Sequence, residues 1–413
     1  MDGLLPRQPD VTAYTTVNSR GLVLELTAPL INEPLSVQLK PADIVRNQCA
    51  KLGGVLAEAT RRIRDQRDRV DPAEAGRLIG EIASAGRIFL GYVLREPRDD
   101  FHKLSHFLQR ACPAWRIRNA QVPLVHVIAD ADHYFPWELL PLFAPLATAE
   151  ARDQLELEQA SLAFPGFATV LERHDPDHAV NTTFLDGWDR LSVRLVYDAS
   201  LPGARTEVGF FRGKGHLFRL KGPYPRDITD DKAPTLAQQL CDPALGIDGA
   251  RTGFPDQIVH FACHCEADGH DTATFTYRLA DEQKQEMVIR LDELVDELIR
   301  HPPEEKPHDK PLVFLNACGT AVMDPASAAS LLKPFHDNHN RGIIGTAANV
   351  PDRIAADVSR WFYTNLIAEA MTVGEALHEA KWRLLQDRGN PLGLLYSIHA
   401  LASLRVAPIP TYA

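Results

Sequence analysis

From residue 191 onward the chain repeats one pattern, a short apolar run followed by a helical periodicity. The runs are "SVRLVYD" (192–198), "HLFRL" (216–220), "QIVHFAC" (257–263), "PLVFLNAC" (311–318), "GIIGTAA" (342–348) and "GLLYSIHALASL" (393–404). Helical patterns separate most of them, notably "RLDELVDELIR" (290–300), "SAASLLKPFHD" (327–337), "RIAADVSRWFYTNLIAEAM" (353–371) and "TVGEALHEAKWRLLQD" (372–387). Strands that are apolar on both faces and alternate with helices form a largely parallel sheet covered on both sides. Such sheets collect ligands and catalytic groups outside the carboxyl ends of their strands. Reactive residues just after each run are therefore the first candidates for chemistry.

The preceding part is organised differently. Residues 11–39 read as two strands, "RGLVLELTAP" and "PLSVQLKP". A long helix opens at Pro41-Ala42-Asp43 and runs to about residue 70, and a second covers 71–94 with Asp71 as N-cap and Pro72 in its first turn. A shorter helix spans 100–111, and "PLVHVIAD" (123–130) is a buried strand leading to "HYFPWELLPLF". Residues 149–190 read as irregular and polar, which places the domain boundary there. The expected division is an α+β lobe over 1–185 and a unit of alternating strands and helices over 186–413.

Composition removes several classes. The net charge of −11 disfavours a general nucleic-acid binder, because nonspecific affinity comes mostly from Lys and Arg neutralising phosphates. The basic stretch "RRIRDQRDR" (61–69) carries Asp65 and Asp68 at helical spacing and reads as a solvated helix face. No run of about 18 apolar residues is present, so no membrane insertion is expected. "MDGLLPRQPD" has neither the basic nor the apolar region of a signal peptide. The six cysteines are irregularly spaced, which fits reduced thiols and a cytoplasmic location.

His264 follows the third run and Cys318 ends the fourth, 318 − 264 = 54 residues apart, one helix-containing crossover. A thiol at its free pKa of about 8.5 is little ionised at neutral pH, and a neighbouring imidazole activates it. The same imidazole can then protonate a leaving amine. In "NACGT" (316–320), Ala317 and Gly319 crowd the cysteine little. Two other readings compete with this pair. Cys318 and His264 can be ordinary core residues, since free cysteine is commonly buried. Zinc held by Cys263, His264, Cys265 and His270 is the second, and it is disfavoured because alternate strand positions point apart. Asp130, Asp132 and His133 read as a turn. Neither G-x-S-x-G nor a dinucleotide-binding fingerprint occurs, and no cofactor or metal is expected.

A histidine about fifty residues before an x-Ala-Cys nucleophile is the caspase-type arrangement. This version resembles the CHAT proteases, bacterial relatives of caspases and separase. The resemblance rests on "DQIVHFACHC" (256–265), "PLVFLNACGTA" (311–321), "RGIIGTAANVPDRIAADVSRWFYTNLI" (341–367), "TVGEALHEAKWRLLQ" (372–386) and "VHVIADADHYFPWELL" (125–140). It covers most of residues 120–410. It implies a caspase-like α/β/α sandwich with a mainly parallel six-stranded sheet. It also implies a cysteine endopeptidase that makes limited cuts in a protein partner, answering to a regulatory or sensor protein in bacterial signalling, antiphage defence or cell death. Catalysis then falls to His264 and Cys318, with backbone N–H groups of Cys265 and Cys318 as oxyanion donors. Asn316, Asn349 and Asp352 become candidates for substrate binding, Asp352 as a selector of Arg or Lys or else as a cap on the helix beginning at Arg353. One departure stands out: the family usually has Gly where this chain has Cys265. That departure keeps open a degenerate protease acting as an interaction scaffold.

Overall fold

A computed structural model gives the fold. It describes residues 7–19, 21–64, 69–117, 121–129, 133–143, 151, 153–174, 184–187, 189–225, 235–267, 275–300, 310–316 and 333–407. Strands β1 (Val11–Asn18), β2 (Gly21–Ala28) and β3 (Ile31–Gln38) open the chain, followed by helices α1 (Ala42–Arg64), α2 (Pro72–Val93) and α3 (Pro97–Ala111). Next come β4 (Leu124–Ile128), α4 (Gln154–Ser161), α5 (Pro165–Ala168), β5 (Val170–His174) and β6 (Phe184–Leu185). The later part contains β7 (Leu191–Tyr197), α6 (Pro202–Gly213), β8 (Phe218–Tyr224), α7 (Leu236–Cys241) and β9 (Ile258–Ala262). A meander of β10 (His264–Ala267), β11 (Phe275–Ala280) and β12 (Glu286–Arg290) leads into α8 (Leu291–Arg300) and β13 (Leu312–Leu315). The remainder is β14 (Gly342–Thr346), α9 (Asp352–Ile367), α10 (Val373–Arg388), β15 (Tyr396–Ala400) and β16 (Arg405–Val406).

The fold is mixed α/β around one large, mostly parallel sheet. Eleven strands lie in the order β3-β2-β1-β4-β5-β15-β14-β13-β9-β7-β8. The six runs read from the sequence are the last six of that order, and only the β14–β15 pair among them is antiparallel. The sheet does not stop at six strands. β5 pairs in parallel with β15 through Glu172 and Ile398, so five earlier strands extend the same sheet. The segment expected to be irregular thus holds a central strand. Two charged residues disguise it: Arg173 is buried against Glu138 at 2.8 Å, and Glu172 accepts the backbone N–H of Ala402 at 2.6 Å. The N-terminal strands also number three rather than two, because the Thr-rich β1 pairs with both β2 and β4.

Side chains alternate across the later half of the sheet. Ile258, Ala262, Leu312, Phe314 and Ile344 pack with α6 and α9, whereas Val259, Phe261, Cys263, Val313 and Leu315 pack with α7 and α8. Helix starts and stops follow local chemistry. Asp71 accepts the N–H groups of Ala73 and Glu74 at the head of α2. Thr372 and Glu375 form a reciprocal capping box at the head of α10, which ends on Gly389 in the left-handed region at φ 60°.

Candidate active site

β9 and β13 are neighbours in parallel register, Ile258 opposite Leu312 and Phe261 opposite Leu315, an offset of 54 residues throughout. That offset equals the separation of His264 and Cys318 in the sequence. Cys318 lies outside the described residues, as do Asp130, Asp132 and His270. The last described residue before it is Asn316, so the strand end that leads to Cys318 is in place.

His264 stands just beyond β9, after a bend at Cys263, and opens β10 opposite Arg278. It is half-buried. Cys263 is a core residue, as its place in the strand pattern predicts. The position of Cys265 just past an apolar run suggests a residue lining a loop, but the structure differs. Cys265 is the second residue of β10, faces Tyr277 across the ladder and is only 4% exposed. Pairing with β11 turns its side chain into the core shared with α7 and α8. The described non-glycine residues with positive φ are Lys284, His339 and Ala370, so Cys265 keeps ordinary strand backbone where the family usually has Gly.

Asn349 is exposed in the loop between β14 and α9. Asp352 is the first residue of α9, and the cap position before it is held by Pro351, which supplies no side-chain acceptor. The Asp352 carboxylate accepts the N–H of Arg353 at 2.8 Å and, from a different helix, the N–H of Gly203 at 2.9 Å. It therefore lies between the N-terminal ends of α9 and α6, where both helix dipoles favour a negative charge. Gly203 makes this approach possible: a Cβ there would lie 2.2 Å from the carbonyl oxygen of Asp352.

Asn316, expected against substrate, is 4% exposed and bonded into the interior. Its amide donates to Glu207 Oε2 at 3.0 Å and to the carbonyl of Ala355 at 2.9 Å. Its carbonyl accepts the hydroxyl of Tyr396 at 2.9 Å. The same Glu207 oxygen lies 2.6 Å from His260 Nε2, and His260 Nδ1 lies 3.0 Å from the Tyr363 hydroxyl. Burial, and then the Glu207 carboxylate, hold the Tyr363 phenol well above its ordinary pKa. Sequence reasoning missed this cluster. Its one local signal is His260 itself, a polar residue inside the otherwise apolar run "IVHFA", which demands a partner.

Among the described residues, no group of three or more His, Cys, Asp or Glu is arranged to hold a metal ion. No described helix is long and apolar enough to cross a membrane.

His264 thus lies past the end of β9, and Asn316, two residues before Cys318 in the sequence, lies at the end of the neighbouring strand β13 of a mostly parallel α/β sheet. The chain belongs to the CHAT domain family, whose model matches residues 190–400. A probable protease of Vitiosangium sp. (strain GDMCC 1.1324) is 31% identical over 153 residues, 36% of this chain. That stretch is 19% of the relative, so the match spans about a fifth of its length. Two structures of the Saccharomyces cerevisiae separase–securin complex are similar, with TM-scores of 0.45 and 0.41 at 10% identity. Each likeness covers 95% of this chain and 30% of the other.

Proposed function

We propose that the chain is a cysteine endopeptidase that uses His264 and Cys318 for limited cleavage of a protein partner. The observation that carries this reading is the constant register of β9 against β13, whose offset matches the spacing of the two residues. Strand alternation adds support: His264 and Asn316 share the parity of Ala262 and Phe314, which face α6 and α9. In the reaction, the Cys318 sulfur attacks the scissile carbonyl while His264 takes the thiol proton. His264 then returns that proton to the leaving amine, and water hydrolyses the thioester. Backbone N–H groups of Cys265 and Cys318 receive the oxyanion, and strand backbone at Cys265 is compatible with a donor there.

Asp352, with Asn349 beside it, is the proposed selector of a basic residue before the scissile bond. Two backbone N–H groups already hold its carboxylate, which fixes its position without neutralising its charge. The partner is a protein, under the control of a regulatory or sensor protein in bacterial signalling, antiphage defence or cell death, and the location is cytoplasmic.

The test is capture of new N-termini from a peptide library and from a proteome of moderate complexity. Wild type is expected to generate a small set of cuts after Arg or Lys, and Cys318→Ala none. Equal cutting by both proteins overturns the assignment. One observation favours a second reading. The Cys265 side chain is committed to the core where the family usually keeps Gly, as in a domain retained for protein interaction. Absence of any cut, together with stable capture of a partner by both proteins, selects that reading.

A further inference from the structure

Below the strand ends lies a buried polar cluster that the proposed chemistry does not use. Glu207, His260, Asn316, Tyr363 and Tyr396 are each 4% exposed or less. Burying a carboxylate and an imidazole costs free energy that their mutual attraction often fails to return, and apolar residues of the same volume frequently do as well. Packing stability alone is a weak reason for such a cluster. Its geometry provides a better one.

Asn316 joins four elements: it follows β13, donates to Glu207 on α6 and to the Ala355 carbonyl in the first turn of α9, and accepts from Tyr396 on β15. An asparagine amide has two N–H donors and one carbonyl, and all three are engaged. The strand end is thereby fixed along the sheet and toward one helix layer at the same point. Glu207 is held in turn, since its Oε2 also meets His260 on the neighbouring strand β9. β9 is the strand that leads to His264. One carboxylate oxygen therefore ties the histidine strand to the cysteine strand, four residues before His264 and two before Cys318. Asn316 is the last described residue before Cys318, and two residues of chain span at most about 7 Å.

We infer that Glu207 is a positioning residue: through Asn316 and His260 it sets the cysteine strand end against the histidine strand end. The inference rests on the proposed dyad, and its test separates the two. A displacement of about 1 Å at a reacting centre can cost a hundredfold in rate, so the effect should be visible at the thiol itself.

The measurement is the rate of Cys318 alkylation by iodoacetamide at pH 6.5 on the whole chain, read by site-resolved mass spectrometry. His264→Ala supplies the baseline of a thiol without its imidazole. Wild type is expected to react at least about tenfold faster than that baseline. Glu207→Ala and Asn316→Ala should fall to within about threefold of the baseline, while Glu207→Gln, which keeps the shape and an acceptor oxygen, should stay within about threefold of wild type. Tyr396→Phe removes only one hydroxyl and is the variant to use if Glu207→Ala does not fold; a three- to tenfold loss is expected. A wild-type rate equal to the baseline overturns the dyad and the inference together. A fast wild type with equally fast Glu207→Ala, or Tyr396→Phe in its place, overturns the inference and leaves the dyad standing. Equal losses in Glu207→Gln and Glu207→Ala, matched by equal falls in unfolding midpoint, overturn it in favour of packing.

Discussion

Cys318 is one of six cysteines in the chain, and burial sets two of the others apart from it. Burial pushes the Cys241 thiol up to about 11 and the Cys112 thiol up to about 12, which leaves both protonated and inert. Cys318→Ala is expected to remove cleavage completely with an unchanged unfolding midpoint, while Cys241→Ala and Cys263→Ala keep activity wherever they fold. Assay of the three variants side by side checks this. Asp352→Asn is expected to weaken the preference for a basic residue, as read from the cut sites of a peptide library. An unchanged preference would leave Asp352 as a support for two helix ends only. His399 on β15 offers a pH signature. Burial, and then Arg173, lower its pKa from 6.5 to about 3, so the folded protein keeps it neutral where the unfolded chain protonates it. Its contribution to stability is full above pH 6.5 and is lost as pH falls toward 3, by at most about 1.4 kcal/mol per pH unit. Denaturant midpoints measured from pH 7 to 5 should fall less steeply in His399→Gln than in wild type.

At the scale of elements, what was legible in the sequence follows from what burial looks like along a chain. Most of the six later strands are buried on both faces, as central strands must be, with β9, β13 and β14 buried at every position and the edge strand β8 only partly so. Their order also puts the segments that lead to His264 and Cys318 on neighbouring parallel strands. β5 was not legible because Glu172 and Arg173 sit inside it, and their partners lie far away in sequence, Glu138 and the Ala402 backbone among them. β10, β11 and β12 were hidden differently: short mixed segments become strands only by pairing with each other. The bonds of Asn316 are hidden for the same reason, since Glu207 and Tyr396 are 109 and 80 residues away. Close packing of α6 on α9 gives a test at this scale. Gly203→Ala forces a Cβ against the Asp352 carbonyl and should cost about 2 kcal/mol or more, read from denaturant unfolding. A loss below about 0.5 kcal/mol would mean that the two helix ends separate freely.

One eleven-stranded sheet holds strands from both the earlier and the later part of the chain. β5 lies beside β15, and α10 is bound to the earlier part through His378 and Trp382, both bonded to the Phe167 carbonyl. One apolar cluster runs from α1 and α2 through β5 to α9 and α10. Residues 186–413 made alone should therefore expose the β15 edge and the α10 face, and should associate or unfold without a sharp transition. A cooperative, monomeric fragment would restore two independent domains. The intact chain is also the right object for the decisive measurement, treatment with a peptidyl acyloxymethyl ketone ending in arginine, followed by mass analysis of every cysteine. The predicted result is one adduct, on Cys318, formed in wild type and absent in His264→Ala. An adduct on another cysteine alone, or a Cys318 adduct that forms equally fast without His264, would contradict the account.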